Sequence, residues 1–258
     1  MSAARKRQIC ALLKSIETGD PAGIAVVDQA RYIQHNPQTH EGSEGLEALF
    51  KRLSESSPRV NVVRVFADGD YVFGHTEYDF STRRIGFEVF RFEGDRAVEH
   101  WDNIQPRLGP NPSGHTMVDG PTEAVDLDLT EDNRALVRAF VEDVMVARRL
   151  DEIADYVDAN HFTQHDPTLE DGVHALRAAL EATSTEGSGV TYQLEYRRLH
   201  RVLAEGSFVL AVTEGFRAGV HSSLYDLFRV AHGKLVEHWG TVEKVPPPSE
   251  WKNQNGKF

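Results

Sequence analysis

Acidic and imidazole side chains recur in this chain at spacings that suit proton transfer. In VEHWDNI, residues 98–104, strand alternation puts His100 and Asp102 on one face and Glu99 and Trp101 on the other. Upstream, GFEVFRF at 86–92 carries Glu88 on one face with Phe90. A second Glu-His-Trp stands at 237–239, where Trp239 is followed by Gly240 and Asp226 takes the place of Glu88. A carboxylate beside an imidazole in an apolar hollow can exchange protons near neutral pH, because desolvation and the neighbouring charge tune both groups. Enolisation next to a carbonyl needs a base for the carbon-bound proton and a donor for the oxyanion. Whether Glu88 meets His100 depends on the turn between them: an odd connection across Glu93–Asp95 unites them and an even one separates them.

Further imidazoles are candidates for the same hollow. His35 lies in YIQHNP, where Pro37 restricts Asn36 to extended geometry and so fixes the turn. His75 lies in VFGHTEY, and His165 repeats His35 within FTQHDP. A structural role, tying the turn to backbone carbonyls, suits His35 and His165 equally well. Phe90, Tyr78, His165, Trp101 and Trp239 are candidates for substrate contact, with core or interface packing weighed above a platform role for the two tryptophans. A buried ion pair between Glu88 or Asp226 and a strand arginine is a further alternative, although Arg91 and Arg229 stand at odd spacing and should face the other way.

The elements that position these residues occur twice. YIQHNP pairs with FTQHDP, EGSEGLEALF with DGVHALRAAL, RVFADGDYVFGHTE with RVLAEGSFVLAVTE, and FRFEGDRAVEHW with FRVAHGKLVEHW. The offset is 130 residues from His35 to His165 and 138 from Trp101 to Trp239, a difference assigned to a loop around TSTEGSG, 183–189. Four blocks in one order indicate duplication. Between the copies, residues 107–130 are rich in Pro, Gly, Thr and Asp, as a linker would be. The expected division is 1–110, a linker at 111–129, a second domain at 130–248 and a tail at 249–258. Each copy opens with helices, shown by Ile9, Leu12, Leu13 and Ile16 and by Leu136, Phe140 and Val144, and then changes to period-two hairpins. Helices followed by an antiparallel meander define an α+β class.

Net charge is −12, from 40 acidic and 28 basic residues, which disfavours nucleic acid and anionic membrane surfaces as partners. One cysteine, Cys10, excludes an intrachain disulfide and a multi-cysteine zinc site. The N-terminal segment lacks the uninterrupted apolar core of a secretion signal, so a cytoplasmic location is expected.

The ordered blocks resemble the SnoaL-like polyketide cyclases of the nuclear-transport-factor-2-like, cystatin-like cone fold. The His-x-Pro turn, the glycine-flanked third helix, the A-[DE]-G hairpin and YDLFRVAHGKLVEHW carry the likeness. The tail PPPSEWKNQNGKF is similar to a predicted aldol-condensation branch of that group. The resemblance implies two tandem cone-shaped domains, each a curved antiparallel sheet with N-terminal helices packed on it around an apolar pocket. It also implies that Glu88 and His100 share a face. It further implies cofactor-independent chemistry on a small hydrophobic carbonyl or polyketide-like compound as cyclase, isomerase or hydratase. Epoxide opening by Glu88 and Asp102, and a tandem domain that only binds small molecules, are the alternatives. Copy one keeps His35, His75, Glu88, His100 and Asp102, so the better-equipped pocket is expected there. Copy two keeps His165, Asp226 and His238 but has Val212 and Gly240 in place of His75 and Asp102, which suits the second half of a pseudo-dimer within one chain, with room for a further homodimer. No cofactor or metal is expected. A metal shell of His35, His75, His100 and Asp102 lacks a local motif, and Gly187-Ser188-Gly189 does not open a helix after a strand.

Overall fold

A computed structural model describes residues 2–186 and 189–258. The chain forms two compact units, residues 1–107 together with 245–258, and residues 108–244. Among the described residues, no helix is long and apolar enough to cross a membrane.

The first unit opens with α1, Ser2–Lys14, whose Ile9, Leu12 and Leu13 are buried, followed by short 3-10 helices at Ser15–Glu17 and Pro21–Val26. A two-residue strand, β1 (Ile33–Gln34), leads to α2, Gly42–Ser54. Four long strands follow: β2 (Arg59–Asp68), β3 (Tyr71–Asp79), β4 (Arg83–Glu93) and β5 (Arg96–Pro106). They pair as an antiparallel meander, and β1 adds to β5 in parallel, giving the order β1-β5-β4-β3-β2. The helices cover one face of this sheet. Ile9, Leu12, Leu46 and Phe50 meet Val72, Tyr78, Phe90 and Phe92 in one apolar cluster, as the two periodicities require.

The second unit repeats this plan. α3 (Thr130–Phe140) continues as a π-helical stretch over Val141–Val146, and α4 (Ile153–Tyr156) precedes β6 (Thr163–Gln164) and α5 (Val173–Glu181). Next come β7 (Thr183–Glu186) and β8 (Gly189–Tyr192), which pair with each other. Where the sequence suggests a loop insertion, the added residues thus form a two-stranded ribbon; Gly187 and Ser188 lie outside the described residues. β9 (Leu194–Glu205), β10 (Phe208–Arg217), β11 (Val220–Ala231) and β12 (Lys234–Lys244) complete a sheet ordered β6-β12-β11-β10-β9.

One irregularity governs where the polar residues point. The β4–β5 turn is two residues long, with Glu93 opposite Arg96 and Phe92 opposite Ala97, yet Arg91 is opposite Glu99. Val98 is therefore an extra residue, a β-bulge, and everything beyond it is shifted by one. An even turn plus one bulged residue restores odd parity, so Phe90 faces His100 and Glu88 faces Asp102. The same device recurs in the second unit, where Val236 is bulged, Phe228 faces His238 and Asp226 faces Gly240.

Candidate active site

In the second unit β11 delivers Asp226 and β12 delivers His238 to the helix-covered face of the sheet. His238 Nε2 lies 2.9 Å from Asp226 Oδ1, and its ring stacks on Phe228. Its other nitrogen, Nδ1, lies 2.7 Å from Gln164 Oε1 on β6. That oxygen also accepts the backbone N–H groups of His165 and Asp166, which identifies it as the amide oxygen. His238 Nδ1 must therefore be the donor. With Nδ1 protonated, the contact between Nε2 and Oδ1 needs one further proton, held by the imidazole or by the carboxyl. Gln164 thus makes the Asp226–His238 pair a two-position proton site. Tyr196 from β9 donates to the same Oδ1 at 3.2 Å, and burial, with Asp226 alongside, raises its phenol well above the usual range. Asp226 Oδ2 is buried and has no hydrogen-bond partner among the described residues.

The pair borders a cavity of about 340 Å³ whose walls are largely apolar, with Met145, Leu169, Leu176, Leu180, Phe228 and Val242 among them. Gly240 keeps this end open: a Cβ there would come within 3.3–3.5 Å of the His238 ring and Asp226 Oδ1. Asp166, Gln193 and Arg217 add polar groups to the lining.

The equivalent place in the first unit is more polar and more fully bonded. Glu88 Oε2 lies 2.8 Å from His100 Nε2, and Tyr78 donates to Oε1 at 2.7 Å. Gln34 Oε1 receives His100 Nδ1 at 3.1 Å and the Asn36 N–H, and His100 stacks on Phe90. Asp102, which takes the position of Gly240, accepts from Asn36 at 2.6 Å and from the Lys257 ammonium at 3.2 Å. Burial pushes the Asp102 carboxyl upward, but Lys257, His100 and Asn36 outweigh it and hold the group below its ordinary range. All four carboxylate oxygens of Glu88 and Asp102, the pair proposed for epoxide opening, are engaged within the protein. The ligating atoms of Glu88, His100 and Asp102 lie within 4.8 Å of one another, as a metal would require, and Lys257 supplies a positive charge there.

The remaining sequence candidates lie elsewhere. His35 faces away from His100: its Nε2 meets Glu99 at 2.9 Å, its Nδ1 meets the Gly256 carbonyl at 3.0 Å, and its ring stacks on Trp101 at 4.6 Å. Glu99 is held in turn by Arg91 at 2.6 Å. The second unit copies this clamp, with His165 between Glu237 and the Thr116 carbonyl, stacked on Trp239 at 4.7 Å, and Arg229 on Glu237. His35, His165, Trp101 and Trp239 thus fasten the His-x-Pro turn to the sheet rather than line the cavity. Arg91 and Arg229 pair with the outward glutamates, as their odd spacing requires. His75 also sits opposite Glu88's face, because it pairs with Phe87 in the β3–β4 register; its Nδ1 accepts from Arg64 at 2.6 Å. The four-residue metal shell of His35, His75, His100 and Asp102 is therefore not assembled. Participants that escaped the sequence reading include Gln34 and Gln164, visible as the shared Gln of the two QH motifs, Tyr196, which has no aligned tyrosine in the first copy, and Lys257.

Each unit is thus an α+β domain in which helices and a bulged antiparallel sheet enclose a carboxylate–imidazole pair. Residues 10–100, within the first unit, match the model of the SnoaL-like domain, and the second unit repeats the first unit's strand order and register. Similar solved structures include TsrD from Streptomyces laurentii, at 18% identity over 40% of this chain and 89% of that one, with a TM-score of 0.36. An LEH-like epoxide hydrolase from M. tuberculosis is similar at 17% identity over 40% of this chain and 84% of that one, with a TM-score of 0.36. IdmH, a candidate polyketide cyclase from Streptomyces antibioticus, is similar at 16% identity over 39% of this chain and 91% of that one, with a TM-score of 0.35. No curated protein matches the chain.

Proposed function

We propose that the second unit is a cofactor-independent acid–base enzyme site acting on a small hydrophobic carbonyl compound. The observation that carries this reading is that Asp226 lines an apolar cavity, with its Oδ1 committed to His238 and Tyr196 and its buried Oδ2 without a hydrogen-bond partner among the described residues. In the proposed reaction Oδ2 takes a proton from the carbon next to the carbonyl. The C–H electron pair passes into the carbonyl and leaves an enolate oxygen. The Tyr196 hydroxyl, kept protonated by burial, is the donor at hand for that oxygen once its hydrogen turns from Asp226 Oδ1, a weaker acceptor after the carboxyl has taken the proton. The proton then returns to carbon or oxygen, giving an isomerised or cyclised product according to the substrate held. The first unit's Glu88–His100–Asp102 cluster, fully bonded and closed by Lys257, suits a supporting role.

Proton abstraction can be tested without knowing the substrate, by following hydrogen–deuterium exchange at the α-carbon of hydrophobic ketones and 1,3-diketones in D₂O by NMR. Asp226→Asn should lower the catalysed exchange by about 100-fold or more, and Glu88→Gln should leave it within about twofold. Undiminished exchange in Asp226→Asn would remove the second unit's carboxylate from the mechanism.

A further inference from the structure

We propose that the substrate of the second unit is an apolar oxo acid, whose anionic head docks on Arg217 while its reacting carbon meets Asp226; this rests on the acid–base reading of the cavity. Arg217 ends β10 and lies six residues beyond Ala211, the residue paired with Asp226. An even separation keeps its side chain on the face that Val209 and Ala211 present to the helices, roughly 20 Å further along the strand. It lines the same cavity as Asp226, His238 and Tyr196. The two polar landmarks thus border one largely apolar space from separate places along the sheet, as a ligand with a head and a reactive tail would need.

Electrostatics indicates the sign of the head. Asp166 and Asp226 both line the cavity in a chain of net charge −12, so an anion has no natural place there except beside a cation. Among the described lining residues, Arg217 is the only Lys or Arg. Its neighbour on the sheet, Arg197, is already paired with Glu195, whereas no described carboxylate pairs with Arg217. A planar guanidinium presents a fork of donors that fits a carboxylate with two parallel hydrogen bonds. The first copy lacks this feature. Its aligned residue is Phe80, stacked on Tyr78, so the cation belongs to the unit with the cavity.

Two fluorescent probes of similar size test the charge preference directly: 1-anilinonaphthalene-8-sulfonate, which carries an anionic head, and neutral N-phenyl-1-naphthylamine. Arg217→Gln should weaken binding of the sulfonate about tenfold or more and leave the neutral dye within about twofold, and Arg217→Lys should keep the preference. Leu176→Trp, or Thr168→Trp should the first variant fail to fold, should abolish binding of both dyes by filling the cavity. Equal effects of Arg217→Gln on the two dyes, no effect on either, or dye binding that survives a filled cavity would overturn the proposal. Because the readout is binding, its failure leaves the Asp226 exchange experiment standing, and the reverse also holds.

Discussion

The Glu-His-Trp triplet shows how three adjacent residues can serve two faces of one sheet. Glu99 and Trp101 hold the His-x-Pro turn from outside while His100 points inward to Glu88, and Glu237, Trp239 and His238 do the same in the second unit. The inward imidazole depends on its glutamine. Replacing Gln164 by Leu removes the acceptor at Nδ1 and frees His238 to move its hydrogen to Nε2, where it would only donate to Asp226. Exchange activity should fall at least about tenfold, the scale of one lost orienting hydrogen bond, and ¹⁵N shifts of His238 should report the changed tautomer. A normal tautomer together with normal activity would deny Gln164 this positioning role. Lys257 is a buried cation whose partner is buried too, so Lys257→Met should destabilise the first unit by about 3 kcal/mol, measured by denaturant unfolding. Adding Asp102→Asn should restore part of that loss, because the stranded charge is then gone.

At the scale of elements, the bulges at Val98 and Val236 set the chemistry. Two-residue hairpin turns would by themselves leave each acid on the opposite face from its imidazole. One bulged valine per unit reverses that. Deleting Val236 should bring Leu235 and Glu237 into continuous pairing and turn either the whole of β12 beyond this point or the turn itself the wrong way. The expected result is loss of α-proton exchange together with weaker amide protection across β11 and β12. The clamp on the outer face is a separate element-level device. Burial alone would raise Glu237, but His165 and Arg229 overcome it and keep the carboxyl below its ordinary range. His165→Ala should therefore lower stability by about 2 kcal/mol in thermal unfolding, through an under-bonded buried carboxylate and a lost ring stack.

Across the whole chain, each unit is completed by the segment that follows the last long strand of the other copy. Residues 245–258 belong to the first unit, where Asn255 donates to the Gln34 carbonyl, the Gly256 carbonyl meets His35, and Lys257 reaches Asp102. Residues 108–129 belong to the second, where Asn111 donates to the Gln164 carbonyl and the Thr116 carbonyl meets His165. Removing residues 251–258 should reduce amide protection in β1, β5 and the His35 turn while leaving β11 and β12 protected, as hydrogen exchange can show. Acid should act on the same places. Asp102 and Glu237 both have folded-state pKa values below their unfolded ones, so their stabilisation is present above the unfolded values and lost as pH falls through the folded ones. Unfolding free energy should therefore decline below about pH 4. In Asp102→Asn the portion due to Asp102 should be absent.

The sequence by itself determined the duplication, the α+β class, the order of helices and strands, and the outward direction of Arg91 and Arg229. These are properties of period and repetition, written in neighbouring residues. It also marked Asp226 and His238, but weighed them below Glu88, His100 and Asp102 because it could only count polar groups. Tertiary structure decided the rest. Val98 and Val236 look like ordinary strand valines, and only the paired strands reveal them as bulges that set the faces. Gly240 reads as a lost aspartate in sequence, while in space its missing side chain is part of why Asp226 borders a cavity. Lys257 and Asp102 lie 155 residues apart, and no local pattern foretells that a tail ammonium completes a distant carboxylate's hydrogen bonds. Parity across strands and unfilled volume are sums over residues remote in the chain, so they exist only once the chain has folded.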